Sequence, residues 1–118
     1  MIIKTKRSKY GNKKQVYDGI RFDSTKECGR YVQLKLMEKQ KLIRDLQVHP
    51  RFKVFDGFEK LGKKFLPITY IADFEYFDKG QNKTIIEDVK GGVETVVFRI
   101  KRKLFEARYA GLTITIIK

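Results

Sequence analysis

Two apolar segments in the second half of the chain carry charged residues inside hydrophobic surroundings. They are residues 71–74, which read Ile-Ala-Asp-Phe, and residues 85–91, which read Ile-Ile-Glu-Asp-Val-Lys-Gly. Alternate side chains of a strand point to opposite faces, so Asp88 and Lys90 are predicted to share a face. Burying an ionised group is costly unless it is paired or binds a metal. The pattern therefore indicates a chemical role for Asp73, Asp88 and Lys90.

The first helical pattern begins at Ser24. Ser24-Thr25-Lys26-Glu27 fits a capping box and predicts a helix that ends near residue 41. Glu27 precedes Tyr31 and Leu34 by four and seven positions, which places it beside the buried face of this helix. The full predicted apolar face consists of Cys28, Tyr31, Val32, Leu34 and Leu36.

A second helix is predicted from about residue 94 to residue 108. Its predicted apolar stripe consists of Val93, Val97, Ile100 and Leu104. Four basic residues surround this stripe and are candidates for contacts with DNA phosphates: Arg99, Lys101, Arg102 and Lys103.

The remaining apolar runs have the short, β-branched character of strands. Asp18-Gly19 predicts a tight hairpin over residues 16–22, because glycine tolerates a positive φ. The other predicted strands cover residues 44–48, 51–55, 65–77, 84–90 and 112–117. The order of elements predicts an α/β fold, in which helices flank a mixed central sheet.

Length and charge narrow the possible partners. The chain has 118 residues, which suits a single domain over residues 1–118. Lys and Arg number 27 against 14 Asp and Glu, a net charge of +13, which favours nucleic acid as the partner. The alternative is a basic protein with a solvated surface. Residues 1–14 contain no acid and are predicted to form a flexible basic arm, in which Lys9, Lys13 and Lys14 would contact phosphates.

The two aspartates suggest a metal site. A hairpin connection would bring Asp73 close to Asp88, and two carboxylates at short range repel unless a cation or a proton neutralises them. A divalent ion held by Asp73, Asp88 and the backbone carbonyl of Val89 would remove this repulsion, with Glu27 as a further ligand and Lys90 as an electrostatic helper. One cysteine and one histidine in the whole chain favour oxygen ligands, and hence Mg²⁺ or Mn²⁺.

Each of these residues also has an ordinary structural interpretation. Asp88 and Lys90 could form a surface ion pair, and Glu27 could act only as the partner in the capping box. His49, which precedes a proline, is interpreted as a loop residue rather than a general base. Cys28 is interpreted as a core residue.

The residues carry a family resemblance. Asp73 followed by Asp88-Val89-Lys90, after a helix that bears Glu27, resembles the PD-(D/E)XK nuclease superfamily. The chain is similar in particular to small phage and prophage nucleases that have been described only as a domain of unknown function. Five segments carry this likeness: residues 10–14, 17–24, 68–74, 87–91 and 101–106. Ala72 stands where proline is common, and Gly91-Gly92-Val93 replaces one glycine followed by a bulkier residue.

The resemblance implies a restriction-endonuclease-like core of the order α-β-β-β-α-β and a Mg²⁺- or Mn²⁺-dependent endodeoxyribonuclease. By motif, Asp73, Asp88 and Glu27 would hold the metal, and Lys90 would be the catalytic lysine. A Holliday-junction resolvase that acts on branched DNA as a homodimer is the preferred expectation, because two symmetric cuts need two active sites. We expect such an enzyme in the cytoplasm of a bacterium or a phage-infected host, with no membrane partner.

Two other functions remain open at this point. A non-catalytic DNA-binding module would explain the charge and the basic arm but not the set Asp73, Asp88 and Lys90. The same nuclease site could also serve nicking or packaging-related cleavage rather than junction resolution.

Overall fold

A computed structural model describes residues 14–118 of the chain. The predicted basic arm, with Lys9 and Lys13, lies outside the described residues except for Lys14, which is exposed. Two helices are described: α1 (Thr25–Lys39) and α2 (Val96–Arg108). The strands are β1 (Gln15–Tyr17), β2 (Ile20–Phe22), β3 (Ile43–Val48), β4 (Arg51–Phe55), β5 (Phe58–Lys60), β6 (Lys63–Phe65), β7 (Ile68–Ile71), β8 (Phe74–Asp78), β9 (Lys83–Val89) and β10 (Ile114–Ile117).

The largest sheet has four strands in the order β10-β9-β8-β3. The pairs β3–β8 and β8–β9 are antiparallel, whereas β9 and β10 are parallel. A parallel pair needs a crossover connection, and α2 provides it. The predicted mixed α/β architecture is therefore confirmed.

A second ladder, formed by β4 and β7, extends from this sheet. β4 directly follows β3, and β7 directly precedes β8, so both strands of one ladder continue into the other. The chain turns between the two ladders at His49-Pro50 on one side and at Ala72-Asp73 on the other. The prediction of one strand over residues 65–77 is consequently wrong, since this segment contains the last residue of β6, the whole of β7 and most of β8.

The helices cover opposite faces of the main sheet. The cluster on the α1 side includes Phe22, Tyr31, Leu34, Phe74 and Ile85. The cluster on the α2 side includes Tyr70, Ile86, Phe98, Phe105 and Ile114. Ile85 and Ile86 are consecutive residues of β9 that enter different clusters, which makes β9 a central strand buried on both faces.

Local sequence signals predicted the first turns correctly. Asp18 and Gly19 both have a positive φ in the turn between β1 and β2, as the Asp-Gly pair requires. The Ser24 side chain caps α1 by accepting a hydrogen bond of 3.1 Å from the Glu27 backbone N–H. Glu27, Cys28, Tyr31 and Leu34 form the buried face of α1.

The predicted apolar faces of both helices need correction. Val32 and Leu36 of α1 are exposed, because the sheet covers only the side that carries Tyr31 and Leu34. In α2 the buried residues are Phe98 and Phe105, seven positions apart. The predicted stripe is largely exposed at Val93, Val97 and Ile100. The two phenylalanines bury more area than the valines, so they determine which face meets the sheet.

No strand was predicted between residues 55 and 65, where the chain forms the hairpin of β5 and β6. Gly57, with a φ of +80°, leads into it, and a Cβ at this position would lie 2.5 Å from the Phe65 carbonyl oxygen. Only glycine therefore allows the backbone before β5 to pass this close to the backbone after β6. Among residues 14–118, no helix is long and apolar enough to cross a membrane.

We expect Gly57→Ala to destabilise the protein by about 1–3 kcal/mol, because the added methyl meets backbone atoms and the φ is unfavourable for alanine. Gly29→Ala is the matched control. Gly29 lies inside α1 with open space around it, so alanine should stabilise by about 0.5–1 kcal/mol. Urea unfolding of the two variants measures both effects. Equal effects of the same sign would contradict the conclusion that Gly57, unlike Gly29, is required by its backbone conformation and close contacts.

Candidate functional site

The candidate site lies where the chain turns between the two ladders. The His49 backbone N–H donates to the Asp73 carbonyl at 2.9 Å, and the Ala72 N–H donates to the Pro50 carbonyl at 3.1 Å. The two breaks between the ladders, at His49-Pro50 and at Ala72-Asp73, are thus hydrogen-bonded to each other. His49 has a φ of 55°, a left-handed conformation that histidine adopts more readily than most residues.

Asp73 is fixed to β9 through both its backbone and its side chain. Its N–H donates to the Glu87 carbonyl at 3.0 Å, and its Oδ2 accepts a hydrogen bond of 2.6 Å from the Val89 N–H. Because Phe74 pairs with Glu87 in the antiparallel register, Asp73 comes next to Asp88 along the ladder, as the hairpin predicted.

Helix α1 brings Glu27 to the same place. Glu27 is only 5% exposed, and its Oε1 lies 2.7 Å from His49 Nε2. One ligand atom each from Glu27, His49 and Asp73 lies within 4.8 Å of the other two. Two carboxylates and an imidazole at this range form a candidate site for a divalent cation.

Asp88 and Lys90 lie beside this group on the α2 face of β9. The Lys90 ammonium is 2.8 Å from Asp88 Oδ1, and the Tyr70 hydroxyl donates to Asp88 Oδ2 at 2.5 Å. Lys90 Nζ also lies 3.7 Å from the centroid of the Phe98 ring. The ion pair is therefore largely buried, and the surface alternative for Asp88 and Lys90 does not hold.

Glu87 points to the opposite face and anchors α1. It is 1% exposed, and Arg30 binds both of its carboxylate oxygens, at 2.8 Å and 2.6 Å. The Tyr76 hydroxyl donates to the same carboxylate. The hydrogen bond to Glu87 raises the pKa of Arg30, which keeps the guanidinium charged. This network holds the helix that carries Glu27 against the strand that carries Asp88.

The electrostatics of Asp73 differ from those of its neighbours. Burial raises the pKa of Asp73 to about 8, and the nearby charges of Glu27 and Asp88 contribute in the same direction. The hydrogen bond from Val89 and the charge of Lys90 offset only part of this effect. Burial, followed by the charge of Asp88, also raises the pKa of Tyr70, which keeps its hydroxyl a donor. A cation near Asp73 would relieve the unfavourable ionisation.

The structure groups the predicted residues in two adjoining sets. Glu27 and Asp73 meet in the three-residue group, and Asp88 and Lys90 form the neighbouring ion pair. Val89 contributes its backbone N–H to Asp73, and a role for its carbonyl as a metal ligand stays a prediction.

Sequence reasoning missed His49 as a member of the group. The interpretation of His49 as a loop residue is correct but incomplete, because its side chain contacts Glu27. The available signal was Pro50, which interrupts a strand pair and so marks a position where side chains can turn toward a neighbouring element.

The predicted DNA-contacting residues of α2 lie at or near the surface. Arg99 and Lys103 are exposed, whereas Lys101 and Arg102 are partly buried. A shallow groove of about 450 Å³ is lined by Glu94, Arg99, Arg102, Lys103 and Glu106. Contact with DNA by these residues stays a prediction.

Fold and site together define an α/β protein with a candidate cation site of carboxylates and a histidine. The chain belongs to the family described as "Protein of unknown function (DUF1064)", which it matches over residues 7–118. No curated protein and no solved structure shows a match to this chain.

The pKa of Asp73 predicts the pH dependence of the metal-free protein. The Asp73 carboxyl ionises near pH 4 in the unfolded chain and near pH 8 in the folded protein. Between these two pH values the folded protein therefore keeps a proton on Asp73 that the unfolded chain has released. The contribution of Asp73 to the free energy of unfolding has its full value below about pH 4. It falls by on the order of a few kcal/mol as the pH rises to about 8.

Urea unfolding with a chelator between pH 5 and pH 8.5 measures this loss. We expect Asp73→Asn to flatten the pH profile, since the amide cannot ionise. Asp45→Asn is the control, because Asp45 is exposed and asparagine accepts its left-handed backbone. A profile of Asp73→Asn parallel to that of the unmodified protein would show that Asp73 is not the titrating group.

Proposed function

We propose that this protein is a divalent-metal-dependent endodeoxyribonuclease with a site of the PD-(D/E)XK type. The observation that carries the proposal is the convergence of Glu27, His49 and Asp73 beside the Asp88–Lys90 pair. These residues come from α1, from the two breaks between the ladders, and from the end of β9. Such a convergence of charged groups at one buried corner is costly for folding and is typical of catalytic sites.

The donor set fits a divalent cation. Glu27, His49 and Asp73 would hold it, with Asp88 next to Asp73 on β9 as a further ligand. A bound Mg²⁺ or Mn²⁺ would polarise a phosphate oxygen and lower the pKa of a coordinated water. Arg30 and Tyr76 support this arrangement indirectly, because they fix Glu87 and thereby the spacing between α1 and β9.

Lys90 supplies the positive charge that phosphodiester hydrolysis needs as negative charge develops. Its ammonium is held between the Asp88 carboxylate and the face of the Phe98 ring, so its position is fixed before substrate binds. From this position it can donate a hydrogen bond to a phosphate oxygen or to the attacking water. The Lys26 ammonium donates to the Lys90 carbonyl at 3.1 Å and adds a second cation at the same edge.

Two further features support a nuclease. The succession α1, β3, β8, β9, α2, β10 has the order α-β-β-β-α-β that a restriction-endonuclease-like core requires, with the β4–β7 ladder as an insertion. The net charge of +13 and the exposed basic residues Arg99 and Lys103 of α2 suit a DNA substrate. Branched DNA is the proposed substrate, and a homodimer would present two sites to the two strands of a junction.

We expect the protein to cleave a synthetic four-way DNA junction in the presence of Mg²⁺ or Mn²⁺ and not in EDTA. Asp88→Asn and Lys90→Ala should each lower the cleavage rate by about 100-fold or more, because the first removes a proposed metal ligand and the second removes the cation beside the reacting phosphate. The measurement is a single-turnover gel assay, with linear duplex, flap and single-stranded DNA as parallel substrates.

Asp56→Asn is the control for loss of a carboxylate, since Asp56 is exposed and pairs only with Arg108 in the described residues. Absence of cleavage on every substrate, together with salt-sensitive binding that ignores divalent metal, would indicate a non-catalytic DNA-binding module instead. Cleavage confined to linear or nicked duplex would favour nicking or packaging over junction resolution.

His49 should influence which metal is preferred. Imidazole nitrogen suits Mn²⁺ better than Mg²⁺, which prefers oxygen. His49→Asn keeps a residue that tolerates the positive φ and replaces the nitrogen ligand by an amide. We expect Mn²⁺ affinity to fall about tenfold or more while Mg²⁺ affinity changes less, as measured by calorimetry. An unchanged ratio of the two affinities would remove His49 from the ligand set.

A further inference from the structure

The hairpin of β5 and β6 has a surface that the proposed active site does not use. It consists of residues 58–65, which read Phe-Glu-Lys-Leu-Gly-Lys-Lys-Phe. Leu61 at its tip is 98% exposed, and Phe58 is 51% exposed. Large apolar side chains that protrude together from a basic segment indicate a binding surface rather than a packing one.

The turn itself contains an unfavourable choice of residue. Leu61 and Gly62 have φ values of 51° and 77°, the two positive angles of a tight hairpin turn. Asparagine, aspartate or glycine is favoured at the first of these positions, and leucine is strained there. The turn between β1 and β2 has the favoured Asp18 with φ 53° at the equivalent position. The leucine therefore costs local stability without gaining burial.

The charges along the hairpin are also unfavourable in isolation. Lys60 lies directly opposite Lys63 in the antiparallel register, and both side chains are exposed. Like charges in this position destabilise a strand pair. Lys64 adds a third cation, opposite Glu59. A polyanion bound along the hairpin would turn this repulsion into attraction.

The base of the hairpin presents aromatic rings in a fixed orientation. Phe58 and Phe65 are cross-strand partners whose rings stack with centroids 4.6 Å apart and planes 13° apart. Lys63 Nζ lies 5.1 Å from the centroid of the Phe65 ring. Gly57 holds the start of the hairpin against its end through a close backbone approach. The hairpin is thus joined to the β4–β7 ladder by this close backbone approach and by the edge-on contact of Phe58 with Phe55 of β4.

We propose that the β5–β6 hairpin is a DNA wedge. Leu61 enters between unstacked or unpaired bases, the Phe58–Phe65 pair provides a stacking surface, and Lys60, Lys63 and Lys64 bind the flanking phosphates. Apolar side chains inserted at a distorted base step, together with basic residues on the backbone, are an established mode of DNA recognition. The proposal rests on DNA as the partner in the proposed function, but it does not depend on cleavage.

The position of the hairpin relative to the candidate site suits this role. The β4–β7 ladder carries His49 and Asp73 at one end and the hairpin at the other. Five residues of β4, at a rise of about 3.3 Å each, separate the two ends by about 17 Å. The three residues of β5 add about 10 Å to the tip at Leu61, so the path from the candidate site to the tip is up to about 27 Å, or about eight base pairs of duplex DNA at about 3.4 Å each. A branch point at the wedge would place a phosphodiester up to about eight nucleotides away at the metal site.

The test uses the full chain in EDTA, so that binding is measured without cleavage. The probes are a four-way junction with 2-aminopurine at the branch point and a linear duplex with the same label. We expect the protein to bind the junction and increase its 2-aminopurine fluorescence, which reports unstacking. Leu61→Asn should abolish the increase and weaken junction binding by about fivefold or more, while its affinity for linear duplex changes little.

Leu61→Asn separates a binding role from a structural one. Asparagine favours the left-handed turn, so this variant should be at least as stable in thermal unfolding as the unmodified protein. Leu36→Gln, which replaces an exposed leucine of α1, is the control and should bind both probes normally. The double variant Lys60→Gln with Lys63→Gln should lower the slope of log affinity against log salt by about two on both probes.

Three outcomes would overturn the wedge. One is unchanged junction binding and fluorescence by Leu61→Asn. Another is an equal loss on junction and linear duplex. The third is a shift of Leu61→Asn from dimer to monomer in sedimentation, which would make the tip a contact between copies of this chain. Junction unstacking without metal-dependent cleavage would support the wedge and contradict the nuclease, and cleavage without unstacking would do the reverse.

Discussion

The paired break between the two ladders is the constraint on which the rest of the structure depends. Pro50 has no N–H and cannot extend the ladder of β3, so the strand pair must turn where the proline stands. The partner segment turns at the same level, where the Ala72 N–H donates to the Pro50 carbonyl and the next N–H, that of Asp73, donates to Glu87 of β9. Because the two turns face each other, His49 and Asp73 come together, and α1 adds Glu27 from the covering layer.

Buried carboxylates are compensated unequally around this corner. Glu87 has Arg30 and Tyr76, and Asp88 has Lys90 and Tyr70, so each combines a cation with a tyrosine hydroxyl on its own face of β9. Among residues 14–118 the Asp73 carboxylate accepts one hydrogen bond, from the Val89 N–H, and the pKa of Asp73 is raised to about 8. Glu87 holds α1 against the sheet, whereas Asp73, once ionised, keeps an incompletely compensated negative charge that a divalent cation, shared with Asp88, would neutralise.

Opposite ends of the β4–β7 insertion have different chemistry. One end contributes His49 and Asp73 to the proposed metal site, and the other carries the β5–β6 hairpin with Leu61 at its tip. Both ends contain features that cost stability: clustered carboxylates at one, and a strained leucine with facing lysines at the other. Costs of this kind often mark functional positions, and the proposed metal site and the proposed DNA wedge assign a role to each end of the ladder.

Local signals in the sequence were sufficient for the elements whose cause is local. The Ser24 cap, the Asp18-Gly19 turn and the alternation of Asp88 and Lys90 against Glu87 follow from side-chain chemistry within a few residues, and the structure has all three. The buried face of α2 was not predictable in this way, because the aliphatic stripe is as regular as the pair Phe98 and Phe105. The packing of α2 against the sheet decides that the two phenylalanines are buried. His49 depended entirely on tertiary structure: its partners Glu27 and Asp73 lie more than twenty positions away in opposite directions, and only the pairing of β3 with β8 beneath α1 brings the three together.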